Sequence, residues 1–193
     1  MREALERDLR ILSADFIRMI SQVGEQVNLA GQVLLENQLE HVPEVHAMDK
    51  RVDDLELKLE NECLRVIALH QPVATDLRFV AAILKSLSDL ERVGDYAVHV
   101  ADDARILSSE PPLKRYINLG QMIATAKTML ETTARAFTER DATAALEAAR
   151  MDQKIDDLYE QTQRELVTYM LEDPRTITKA LALLRVGRDH RTV

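Results

Sequence analysis

The apolar residues of this chain recur at steps of three and four over stretches far too long for a strand. They fall at Leu5, Leu9, Leu12, Phe16, Met19, Val23 and Val27, and again at Val45, Met48, Val52, Leu55 and Leu59. A spacing near 3.5 draws one stripe along a helix and suits helices packed side by side at a shallow angle. All five prolines lie between such stretches, at Pro43, Pro72, Pro111, Pro112 and Pro174. Proline breaks a helix interior and disfavours helix at the residue before it. Cutting there predicts helical segments over 2–41, 44–70, 74–109, 113–139, 141–172 and 175–189. The cut near 140 rests on the polar stretch TERDAT, where Asp141 suits an N-cap. A helix with one apolar stripe cannot bury it alone, and short connections make neighbours antiparallel. The predicted fold class is all-α. Gly24 and Gly31, inside the first segment, mark either close packing or a bend.

The pattern occurs twice. MDKRVDDLELKLENECLRVI from Met48 aligns with MDQKIDDLYEQTQRELVTYM from Met151, and six of the twenty positions are identical. They include Asp49 with Asp152, Asp53 with Asp156 and Leu55 with Leu158. Each repeated unit holds three helical segments, the sign of a duplication. The expected organisation is two tandem three-helix bundles, one over 1–110 and one over 111–193.

Charge and composition narrow the class. Lys and Arg number 25 against 33 Asp and Glu, a net charge of −8. An acidic surface repels phosphate backbones, so no nucleic-acid partner is expected. The single Cys63 excludes an intramolecular disulfide framework, and its place on the apolar face of the second segment assigns it to the core. No apolar run approaches the roughly 20 residues of a membrane span, and the opening MREALERDLR has no signal-peptide core. A cytoplasmic protein is expected, reaching a membrane only through partners.

Three acidic pairs stand four residues apart: Asp49 and Asp53, Glu91 and Asp95, Asp152 and Asp156. Residues four apart share a helix face. Turning about 100° per residue places these carboxylates beside the apolar stripe, at the edge of the bundle seam. Like charges at this spacing destabilise a helix, and a cation would relieve them. Carboxylate oxygens suit magnesium, calcium or manganese, and iron or zinc also accept them. The plain alternative is a solvated acidic flank with Arg51, Arg92 or Lys154 as partners. His99, four residues after Asp95, is a candidate nitrogen donor. A di-metal carboxylate oxidase would need Glu-x-x-His pairs, and no His here lies three residues after a Glu. No phosphate-cradling loop or nucleophile elbow is present.

A more specific stretch is His70-Gln71-Pro72-Val73-Ala74-Thr75-Asp76-Leu77-Arg78, followed by Asp89-Leu90-Glu91-Arg92-Val93-Gly94-Asp95. It closely resembles the PhoU family, the phosphate-signalling accessory proteins of bacteria, and the resemblance covers nearly the whole chain. It implies paired three-helix bundles and a regulator instead of an enzyme, one that represses phosphate uptake and signalling when phosphate is plentiful. The implied partners are the ATPase subunit of the phosphate ABC transporter and a sensor histidine kinase, with a homodimer as the assembly. It also implies metal binding through acidic motifs that map onto Asp49, Asp53, Glu91, Asp95, Asp152 and Asp156, the metal being iron, zinc, manganese or magnesium. A metal-binding helical scaffold without a phosphate role is the other reading. The family's second half carries its own L-E-R-[IV]-G-D motif. Asp189 matches Asp89 and the sequence ends at Val193, so the last helix is expected to be incomplete, with apolar surface left for self-association.

Overall fold

The computed structural model describes residues 2–109 and 111–189, with the side chains of Arg188 and Asp189 left aside. The residues after Asp189, where the counterpart of the motif at Asp89 would continue, therefore lie outside the described residues. The described chain holds six α-helices: α1 Arg2–Glu36, α2 Val42–His70, α3 Ala74–Leu107, α4 Ile117–Glu139, α5 Ala142–Glu172 and α6 Ile177–Asp189. Short 3-10 turns at Leu39–His41 and Pro174–Thr176 lead into α2 and α6. The described residues are all-α, as the periodicity predicts. None of these helices is long and apolar enough to cross a membrane.

The helix ends follow local chemistry. The first helix stops at Glu36, short of the expected residue 41, because Asn37 turns into the left-handed region at φ 57°. Pro43 sits in the first turn of α2, where its missing N–H costs nothing. Gln71 ends that helix in the left-handed conformation, and Ala74 opens α3 with φ 49°. The fourth helix begins at Ile117 and not 113. Leu113 packs towards the core there, and Lys114 pairs with Glu165 before the helix starts. Asp141 caps α5 as expected, its carboxylate accepting from the N–H groups of Thr143 at 2.8 Å and Ala144 at 3.2 Å.

Packing falls into two groups that share one core. The helices α1, α2 and α3 all touch one another, α4 packs on α5, and α5 packs on α6. Across the groups α1 packs on α4 and α3 on α6. One cluster of buried side chains runs through both groups, from Leu12 and Phe16 to Leu166 and Val186. Gly31 decides the question its sequence position left open. The first helix is unbroken, and a Cβ on Gly31 would stand 2.9 Å from the Ile123 side chain, so the glycine serves close approach to α4. Cys63 is fully buried, and burial pushes its thiol up to about 11, so it stays a protonated core residue.

Near the start of α1 a buried Asp8 holds the end of α2. Its carboxylate meets His70 Nε2 at 3.0 Å and Arg65 Nη2 at 3.1 Å, with Arg7 on its other oxygen. His70 first, then Arg65 and Arg7, hold its pKa down to about 2 against the opposing effect of burial.

Two outcomes follow. Asp141→Ala removes two hydrogen bonds to the first turn of α5 and lowers unfolding free energy by about 1 kcal/mol in urea denaturation. The stabilisation Asp8 supplies is complete above its ordinary value of 3.8 and is lost as pH falls towards 2. Asp8→Asn therefore lowers the melting temperature at pH 7 and flattens the fall in stability between pH 4 and 2 (~, the window set by those two values).

Candidate functional site

Helices α2 and α3 run antiparallel, and three contacts fix their register. His46 Nε2 stands 3.2 Å from Asp102, Gly94 lies against Asp49, and Ser88 Oγ donates to Glu56 at 3.0 Å. This register brings the acidic residues at 49 and 53 of one helix alongside those at 91 and 95 of the other. Four of the six residues singled out in the sequence thus share one seam. Asp49 and Glu91 are half-buried, and Asp53 and Asp95 are exposed.

The charges feel one another. Partial loss of solvent raises the Asp53 carboxyl above its ordinary range, and the charges of Asp49, Asp95, Glu56 and Asp54 add to that. Partial burial likewise raises Glu91, helped by Asp95, Glu56, Asp53 and Asp49. Among the described residues none of the four pairs with a basic side chain. Arg51, a candidate partner, turns its Nε to the Ala47 carbonyl of its own helix at 3.2 Å. Asp49 takes its hydrogen bond from α1: Gln26 Nε2 donates to Asp49 Oδ1 at 3.0 Å and to the Gly94 carbonyl at 3.1 Å. Among the described residues no three His, Cys, Asp or Glu side chains stand together as a ready metal cage.

Asp152 and Asp156 are half-buried on α5, which packs on α4 and α6 and touches neither α2 nor α3. The structure does not bring them to the α2–α3 seam. His99 lies on an exposed turn of α3 beside the Tyr96 ring, centroids 6.4 Å apart.

Two members of the seam escaped the sequence reading. Glu56 continues the row of Asp49 and Asp53 by three residues, a step the helical period allows, and spacing alone could have found it. Gln26 stands three residues after Val23 on the apolar stripe, so a polar residue there is the signal. It is fully buried.

With this geometry in place, the comparisons with known proteins are consistent along the chain. The family model of the PhoU domain matches twice, over residues 16–104 and 119–192. A phosphate-specific transport system accessory protein PhoU homolog of Deinococcus radiodurans is 53% identical over 188 residues, covering 97% of this chain and 88% of the relative. Its counterpart of the same name from Aquifex aeolicus is 39% identical over 186 residues, with 96% and 84% covered. The crystal structure of PhoU from Pseudomonas aeruginosa superposes with a TM-score of 0.92 at 33% identity, covering all of this chain and 91% of that one. The phosphate transport system regulatory protein PhoU from Streptococcus pneumoniae gives 0.89 at 26% identity, with 97% and 88% covered. Two matches of one domain model, placed on the two halves of the duplication, show that the chain belongs to the PhoU family.

Proposed function

We propose that this chain is a non-catalytic accessory protein of a phosphate-specific transport system, and that it restrains phosphate-responsive signalling when phosphate is plentiful. The observation that carries this reading is 53% identity along 97% of the chain to a relative named as such an accessory protein. The finer part of the proposal is that bundle surfaces contact the transporter's ATPase subunit and the cytoplasmic part of a sensor histidine kinase. A homodimer belongs to the same reading, and exposed apolar side chains on α5, Leu146 and Leu171, favour self-association.

We further propose that the α2–α3 seam holds an oxygen-seeking divalent cation, with Asp49, Asp53, Glu91 and Asp95 as ligands. The Asp53 and Glu91 carboxyls, raised first by partial burial and then by their acidic neighbours, support it, since a cation would favour their charged forms. The donor set fits by chemistry: it is all carboxylate, and the exposed Asp53 and Asp95 are free to turn. Manganese or magnesium fits oxygen ligands best, and iron or zinc remains compatible. Asp152 and Asp156 would belong to a separate site in the second half.

The role is tested in phosphate-replete cells lacking the gene, with a phosphatase reporter of the phosphate response. Output is expected to be high and to return to low with a restored copy; output that stays low overturns the role. In the same assay the Glu91→Ala, Asp95→Ala double variant separates a cation-dependent regulator, which fails to restore repression, from one that works without the seam.

The repulsion is tested on the purified protein with divalent ions chelated. Raised folded values mean that the protonated forms favour the fold. Their stabilisation is full below the ordinary values of 3.8 and 4.5 and is lost as pH rises through the raised ones. At pH 7, Asp53→Asn and Glu91→Gln should each raise the melting temperature by roughly 1–2 °C, as expected from removing a like-charge contact on a helix surface. Excess Mn²⁺ should raise it in the wild type and not in these variants.

A further inference from the structure

We propose that Gln26 is a positioning residue for the acidic seam: its amide fixes one oxygen of Asp49 and ties α1 to the edge where α2 and α3 would hold a cation. This rests on the cation reading above and adds to it a residue that touches no ion.

The geometry is specific. Gln26 has no exposed surface and lies where the three helices of the first bundle meet. Its two N–H groups serve two acceptors, Asp49 Oδ1 on α2 at 3.0 Å and the Gly94 carbonyl on α3 at 3.1 Å, with the Val45 carbonyl at 3.5 Å. Its Oε1 is buried and has no hydrogen-bond donor among the described residues. That oxygen faces Gly94, where an added Cβ would stand 3.0 Å from it and 3.3 Å from Asp49 Oδ1. The glycine of the D-L-E-R-V-G-D stretch is therefore the space in which the glutamine and the aspartate meet.

A residue needed only to fill this volume would be apolar. Methionine has a similar shape and carries no amide oxygen of its own to leave unpaired. What the amide supplies is a charge-assisted hydrogen bond to a carboxylate that has no basic partner among the described residues. With Oδ1 engaged, Asp49 keeps one oxygen for a cation and is held in one orientation. Groups that orient a ligand in this way are typically worth 10–100-fold in metal affinity.

The test is Mn²⁺ titration calorimetry on the full chain, with circular dichroism confirming the fold. Gln26→Met is expected to weaken Mn²⁺ binding about tenfold or more while the helical signal persists. Val80→Ala serves as a control for lost stability, since it opens the same core 14 residues, about 21 Å, along α3 from Gly94. It should lower the melting temperature and leave the Mn²⁺ affinity unchanged. Should Gln26→Met fail to fold, Gly94→Ala displaces the same amide and is expected to weaken binding likewise. Mn²⁺ affinity unchanged in a folded Gln26→Met, or in Gly94→Ala where that variant stands in, overturns the proposal and leaves the cation reading intact. A wild type that takes up no Mn²⁺ overturns both.

Discussion

Helix α1 has more neighbours than a single stripe can serve. It packs on α2 and α3 and also on α4, so its buried residues spread over two adjoining faces. Gln26 reaches α2 and α3, while Gly31 meets Ile123 of α4 and Phe16 meets Phe137 of α4 edge-on, with centroids 4.8 Å apart. Phe137 in turn stacks on Phe79 of α3 at 5.1 Å. Such aromatic contacts add about 0.5–1.5 kcal/mol each beyond their burial. The two halves of the duplication are thus joined through the flank of α1, as well as by α3 against α6, and a single core runs through them. A helix so enclosed has little freedom to shift, and the elements around it take their positions from it.

The acidic seam depends on this arrangement. With α1 filling the inner face, α2 and α3 meet along their outer edges, and the register places acid beside acid. The ends of the row are matched, His46 with Asp102 and Ser88 with Glu56, and the middle is left with charges that repel. A fold selected for stability alone would place lysine or arginine there. Among the described residues, direct support for the middle of the row comes from the core, through Gln26.

Helix number and both ends of four of the six helices, to within two residues, were legible because proline and apolar period are local properties. The errors came where tertiary contacts decide. Residues 113–116 read as helix until Leu113 and Lys114 find partners in the rest of the fold. Spacing found the carboxylates of each helix, since i,i+4 is a property of one helix. It did not reveal which pairs would meet, because register between helices is set by contacts such as Gly94 against Asp49. That is why Asp152 and Asp156, alike in sequence, stand on a helix that touches neither α2 nor α3. Gln26 was missed for a related reason: a polar residue on an apolar stripe shows its purpose only when its acceptors, 23 and 68 residues away, are in place.

The second half is bound back onto the helix that carries Glu91 and Asp95. Asp103 of α3 is buried, and Arg185 of α6 meets it with two hydrogen bonds, at 2.6 and 3.1 Å. Leaving such a carboxylate without its partner would be costly, so α6 and α3 are held as a pair. The same α3 is gripped nine residues earlier, at the Gly94 carbonyl, by Gln26 of α1. Two fixed points about 14 Å apart on one helix oppose sliding and rotation together. Any change at the acidic seam that displaced α3 would have to disturb either the Gln26 contact or the Arg185 pair, and the latter belongs to the other half of the protein. The duplication is therefore more than two copies of one unit: α3 is the element on which the seam of the first half and the last helix of the second both bear.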